Sequence, residues 1–212
     1  DDTFYVTRRV GRLLGDQQIF RDGGRVGVGV SGGIVSSTLL YVLHARHRWV
    51  PVRTELIPLH VGEGPVPAGL AAVCAAIGLP CHVIPARPGI TVTDTLLDAG
   101  ADLHLDAVAE GQVIDDRAAS VLGSLVFDGA LVPLPPVLPS PGRPTLVRPL
   151  AMLPEDAVLR AAEDNGIRGH PPRRDRNREW MERLLAITAG PRLDLLTNLV
   201  KAPDRIQKDY LV

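Results

Sequence analysis

Ser31-Gly32-Gly33, followed by Ser36 and Ser37, is the stretch of this 212-residue chain whose residue types and spacing best suit chemistry. Val26–Val30 alternates valine with glycine and reads as a buried strand, and the apolar spacing beyond Ser37 reads as a helix. A strand that turns through glycines into a helix leaves several backbone N–H groups unpaired and aimed one way. Such a helix start takes anions, phosphate above all. Gly32 and Gly33 allow the backbone to come close to an oxyanion, and Ser31, Ser36 and Ser37 add hydroxyl donors. The spacing is neither GxxxxGK[ST] nor GxGxxG.

Asp115-Asp116 open another predicted helix just after Gly111. They read equally as an acid pair beside a metal or ribose, or as carboxylates that complement the helix dipole at about 0.3–1 kcal/mol each. His60 closes a predicted strand, on the carboxyl edge where open α/β sheets gather nucleotide sites, but the six histidines share no metal-ligand spacing. Arg148, in Val-Arg-Pro-Leu, can reach a phosphate or a carboxylate, or close a surface salt bridge. Arg173, Arg174 and Arg176 belong to a basic run, with Arg168 and Arg178, that can meet RNA phosphates; no aromatics interleave with it in sequence. Cys74 and Cys81 lack CxxC spacing and are expected to be buried, inert thiols, as in a reducing cytoplasm.

The elements that must position these residues follow a βαβαβ rhythm. A helix over 7–20 precedes the strand 26–30, the helix 34–47, a strand over 54–60, a helix over 67–77 and a strand over 81–85. Helix 91–99, strand 102–109 and helix 112–127 come next; Val113, Ala118, Val121, Leu122 and Leu125 form the apolar stripe of the last. The proline-rich passage 132–149 is expected to run extended over the surface, because proline cannot donate to a central ladder. Helix 154–165, a basic linker over 171–177, and helices over 178–188 and 191–200 close the chain. This order predicts an α/β protein with a doubly wound, mainly parallel sheet and C-terminal helices. Residues 1–167 are expected to form the nucleotide-binding unit, and 168–212 an appended basic linker with helices packed on it.

Composition adds boundaries. A hydrophobic fraction of 45% with 22% charged residues is that of a globular protein, and aromatics at 4% leave the core to Val, Leu, Ile and Ala. No apolar run reaches membrane-spanning length and no signal-peptide pattern opens the chain, so no membrane partner is expected. Net charge is −1, yet the segment from Arg168 to Val212 holds ten Lys and Arg against six Asp and Glu. That asymmetry suits either an RNA-facing tail or a solvated basic helix.

Ser31-Gly32-Gly33-Ile34-Val35-Ser36-Ser37 resembles the PP-loop SGGxDS of the N-type ATP pyrophosphatases, whose fold is adenine nucleotide alpha-hydrolase-like. Gly111-Gln112-Val113-Ile114-Asp115-Asp116, Leu134-Pro135-Pro136 and Leu146-Val147-Arg148-Pro149-Leu150 are similar to segments of its tRNA 2-thiocytidine synthetase branch. The resemblance implies ATP and Mg²⁺ as cofactors, tRNA as partner, a homodimer, and adenylation of a substrate carbonyl. Val35 stands where the family has aspartate, Gln112 and Val113 stand where it has paired histidines, and its CxxC pairs have no counterpart. Those departures predict a protein without an iron–sulfur cluster that keeps nucleotide or RNA binding without the family reaction. The alternative is an active adenylating enzyme with a rearranged site.

Overall fold

The computed structural model describes residues 2–16, 20–48, 50–187 and 191–205. Within them the chain runs α1 (Asp2–Asp16), β1 (Arg25–Gly29), α2 (Ile34–Arg46), β2 (Glu55–Val61), α3 (Ala68–Ile77), β3 (His82–Ile84), α4 (Val92–Asp102) and β4 (Ala107–Glu110). It continues through α5 (Ile114–Phe127), β5 (Val137–Leu138), β6 (Thr145–Val147), α6 (Glu155–Asp164), α7 (Arg176–Ile187) and α8 (Arg192–Arg205). The strands form one sheet in the order β3-β2-β1-β4-β6-β5, parallel except for β5 at its edge. The chain steps outward from β1 to β3, then crosses back to β4 and on toward β6. The order therefore reverses between β1 and β4.

The valine–glycine alternation of β1 serves two faces. Val26 and Val28 point into a large core shared with α1, α2, α3 and α6, where Val10, Leu39, Leu43, Leu70 and Val158 are buried. Gly27 and Gly29 face the other way, under Leu59, Leu96 and Leu105. A Cβ on Gly27 would fall 2.7 Å from Leu59 and one on Gly29 2.7 Å from Leu96, so the missing side chains let α4 lie on the sheet. A third cluster joins Ile114, Ala118 and Ala119 of α5 to Met181 of α7 and Leu196 and Val200 of α8. The C-terminal helices thus attach to α5. Leu125, expected in its apolar stripe, is exposed.

Three sequence expectations need correction. The strand placed over 102–109 starts only at Ala107, because α4 runs on to Asp102 and closes with Leu105 N donating to Gly100 O at 2.8 Å. Its alternating leucines reflect a helix end and a turn, with His104 at φ 54°. The proline-rich passage is not wholly a surface excursion: Thr145–Val147 lies between β4 and β5 with Leu146 and Val147 buried. Its three residues sit between Pro144 and Pro149, so the prolines flank the ladder. The first helix begins at Asp2 instead of 7; its expected last turn, with Ile19, lies outside the described residues, as does Thr188. No helix among the described residues is long and apolar enough to cross a membrane.

Candidate functional site

A cleft of about 430 Å³ opens where β1 and β4 end. In open α/β sheets this reversal point, at the carboxyl ends of the strands, is where ligands bind. One wall is the glycine turn, with Ser31, Gly33, Ile34, Val35 and Ser36; the other holds Gly111, Gln112, Asp116 and Ser120. Gly111 permits the two walls to meet: a Cβ there would lie 3.0 Å from Ser36 Cα.

The turn is held by its own serines. Ser31 N donates to Ser36 Oγ at 3.2 Å, Ser36 Oγ donates to Gly33 O at 3.1 Å, and Gly33 N donates to Ser31 Oγ at 3.3 Å. Gly32 has φ +85°, a left-handed backbone that favours glycine, and a Cβ there would sit 2.8 Å from Pro67. Gly33 caps α2 in extended conformation without a side-chain cap, and no acid occupies the first turn. Among the described residues no acceptor meets the N–H groups of Val35 and Ser36. Both belong to residues that line the cleft. They have the donor arrangement and the positive dipole end that an oxyanion needs.

A strap from the C-terminal linker crosses this turn. His170 bridges Gly33 in parallel: Ile34 N donates to His170 O at 3.0 Å and His170 N to Gly32 O at 3.3 Å. A Cβ on Gly169 would fall 2.5 Å from Gly32 O, so only glycine lets the strap lie this close. The strap takes one N–H of the first turn and brings His170, Arg173, Asp175, Asn177 and Arg178 into the cleft lining. Sequence reasoning missed His170; the available signal was Gly169-His170 before Pro171-Pro172, a run that prolines hold extended.

The predicted acid pair divides. Asp115 is buried outside the cleft lining; its Oδ2 accepts from Glu155 N at 2.8 Å and its Oδ1 from Arg192 Nη2 at 2.9 Å. Asp116 lines the cleft, caps the Val113 N–H at 3.1 Å and meets Arg178 at 2.7 Å. Burial pushes its carboxyl above the usual aspartate range, against the Val113 N–H and the Arg178 charge, which pull it down. Arg178 is fully enclosed and also pairs with Glu155 at 2.8 Å and Glu182 at 3.5 Å. Arg192 forks onto Glu182 at 2.7 and 2.8 Å; these bonds hold the Glu182 carboxyl low and raise the Arg192 guanidinium. Arg174 adds Glu155 at 2.9 Å. Asp115, Asp116, Glu155 and Glu182 with Arg174, Arg178 and Arg192 therefore rivet α7 and α8 to the starts of α5 and α6.

The other predicted residues are distributed as follows. Ser31, Gly33, Ser36, Gly111 and Arg173 line the cleft, with Gly32 directly behind them. Ser37 Oγ is buried in α2 with no partner among the described residues. His60 is buried behind the turn and shares a 2.7 Å hydrogen bond with Val30 O, which fixes the end of β1. Arg148 is buried, not presented to solvent: its Nε donates to Gln112 Oε1 at 2.5 Å and its Nη1 to Pro135 O at 2.9 Å. Arg117 treats Leu134 O alike at 2.6 Å, and burial lowers its guanidinium to about 10. These two arginines hold the proline-rich loop against the cleft through carbonyls that proline keeps available. Arg176 lies on the outer face, 3.7 Å over the Phe127 ring.

No family profile matches the chain. Sequence comparison aligns it with a tRNA-cytidine(32) 2-sulfurtransferase of Syntrophotalea carbinolica at 28% identity, over 98% of the chain and 91% of the relative. The Geobacter metallireducens protein of that name is 30% identical over 76% of the chain and 71% of its own length. The chain belongs to the tRNA thiolation branch of the PP-loop ATP pyrophosphatases. Ser31–Ser37 is the segment that resembles its PP-loop. In fold it is similar to the U34-tRNA thiolase NcsA of Methanococcus maripaludis, at TM-score 0.72 and 20% identity over 97% of this chain and 80% of that one. It is also similar to the NAD⁺ synthetase of Burkholderia pseudomallei, at TM-score 0.52 and 15% identity over 95% and 90% of the two chains.

That thiolase carries a [4Fe-4S] cluster, and this overturns the expectation, drawn from the missing CxxC pairs, that this protein does without one. The described thiols of this PP-loop chain do not by themselves fit one. Neither Cys74 nor Cys81 lines the cleft, and burial pushes the Cys74 thiol up and Cys81 to about 11, whereas clusters are held by sets of thiolates.

Proposed function

We propose that the cleft binds an adenine nucleotide with its phosphates on the first turn of α2, and that the protein meets tRNA beside it. The observation that carries this reading is the pair of N–H groups at Val35 and Ser36, unmet by acceptors and placed at the reversal point of the sheet. Arg173 adds positive charge at the cleft rim. Magnesium is commonly held by one or two carboxylates plus substrate phosphates. Asp116 is the carboxylate of the predicted pair that faces the cleft, so it would lend that ligand, while the Val35 alkyl group offers none. The relatives' name, with its tRNA cytidine, supports tRNA as the partner. Residues 1–167 then carry the nucleotide-binding unit, and 168–212 form the basic appendage whose strap completes the cleft.

Calorimetry with ATP, AMP and pyrophosphate, each with and without Mg²⁺, tests the nucleotide site. Heat is expected for ATP and pyrophosphate; no heat from any of the three overturns the reading. A second reading, an active adenylating tRNA-modifying enzyme, is favoured by the 2-sulfurtransferase relatives. In it the substrate carbonyl oxygen attacks the α-phosphate and pyrophosphate leaves. Incubation with ATP, Mg²⁺, tRNA and a sulfur donor should then release pyrophosphate, followed by AMP. No release with any of several donors would sink it.

A further inference from the structure

The basic run that lacks aromatics in sequence acquires them in the fold. Phe127 ends α5 and Trp180 projects from α7, their rings edge to face with centroids 6.1 Å apart. Arg176 lies 3.7 Å over the Phe127 ring. Gly123, Val126, Phe127, Trp180, Arg183 and Ile187 line a groove of about 270 Å³ between the two helices. Trp180 is 49% exposed, Val126 53% and Ile187 84%, a concentration of open apolar surface that the core does not need. No acid lines the groove, and among the described residues neither Arg176 nor Arg183 has a carboxylate partner.

Helical spacing ties this groove to the cleft. Asn177 lines the cleft and packs onto Gly123, where a Cβ would fall 2.2 Å from Asn177 Nδ2, while Gly123 itself lines the groove. Arg176, Trp180, Arg183 and Ile187 follow at i, i+4, i+7 and i+11 along one face of the 12-residue helix α7. At 1.5 Å per residue that face is about 18 Å long and starts beside Arg173 at the cleft rim. We propose that the α5–α7 groove is a stacking platform for unpaired RNA bases, with Trp180 as the ring surface, Phe127 supporting it edge to face, and Arg176 and Arg183 meeting the backbone phosphates. It rests on the reading that tRNA is the partner, and adds where and in what form the RNA is held.

Aromatic faces beside arginines are how proteins hold single strands; a duplex keeps its bases stacked inward and offers no free face. The arginines also argue against a second copy of the chain as occupant. A two-fold contact through the groove would bring each copy's Arg176 and Arg183 against like charge.

The test uses the full chain and fluorescence anisotropy with a labelled ten-nucleotide single-stranded RNA and the duplex of the same sequence. The single strand is expected to bind more tightly than the duplex. Trp180→Ala should weaken single-strand binding about tenfold, within the span seen for single stacked bases, while Trp180→Phe should keep most of the affinity. Arg183→Ala should lower the salt slope by about one. ATP heat should be unchanged in all three, and circular dichroism should show the fold retained because Trp180 is half exposed. If wild type binds ATP but no RNA, the tRNA reading fails and the platform with it. If wild type binds the single strand and neither Trp180→Ala nor Arg183→Ala changes that, the platform alone is overturned. If Trp180→Ala breaks a dimer in sedimentation while RNA binding stays intact, the groove is a contact between copies and the proposal is likewise overturned.

Discussion

α2 and α5 both begin where a central parallel strand ends, one after β1 and the other after β4, and their first turns face the same cleft. α2 starts with no side-chain cap and no acid, and Val35 and Ser36, both lining the cleft, have N–H groups with no acceptor among the described residues. α5 starts with two acids: Asp116 caps the Val113 N–H, Asp115 caps the start of α6, and both are met by arginines from the C-terminal helices. The same helix dipole is thus left for a ligand at one start and neutralised by the chain's own carboxylates at the other. The neutralised start has become an anchor, and the open one remains a candidate anion site.

The contrast can be broken most severely at Arg178. Arg178→Ala leaves Asp115 and Glu155 buried with fewer counter-charges, and urea unfolding should show a loss of about 3–5 kcal/mol. A loss below about 1 kcal/mol would mean that the network behaves as a surface one. Val35→Asp makes α2 more like α5 by adding a carboxylate to its first turn. ATP affinity is then expected to rise about tenfold with Mg²⁺ and to show no gain without it, because a carboxylate there can hold the cation beside the phosphates. Equal affinity under both conditions would show that the loop cannot admit the metal.

The pH profile sharpens the comparison from the α5 side. Asp116 has its carboxyl raised by burial, so the folded chain takes up its proton before the unfolded chain does. Its contribution is fully present below the ordinary aspartate range and is lost as pH rises through the raised value. Glu182, held low by Arg192, works the other way and loses its contribution as pH falls. Asp116→Asn should therefore steepen the acid-side loss of stability, by at most about 1.4 kcal/mol per pH unit for one proton. An unchanged slope would place the Asp116 carboxyl in the ordinary range. The smallest effect is expected at Ser36→Ala, which removes the hydroxyl bridging Ser31 and Gly33. It should cost about 1 kcal/mol in ATP binding, read by calorimetry, with little change in unfolding.

Much of this contrast was legible in the chain. The PP-loop, the strand before it and α2 were placed within a residue or two because valine–glycine alternation, two glycines and an apolar helical run agree locally. The parallel order followed from the βαβ rhythm. The sequence could not say which of two adjacent acids faces the cleft, since that depends on α5's rotation under helices that arrive 60 to 80 residues later. Nor could it show that Arg148 is enclosed, because Gln112 and Pro135, which hold it, lie far from it in sequence.

By itself, then, the sequence determined the start of α2, the glycine turn between strand and helix, and the family these imply, because periodicity and turn chemistry act over a few residues. Tertiary structure alone decided how charge is shared out. It closed the α5 start with arginines from α7 and α8, laid His170 across the PP-loop, and set Phe127 and Trp180 among arginines that stand without aromatics in the linear chain. Pairings of that kind depend on which surfaces the packed core brings together, and no local spacing encodes them.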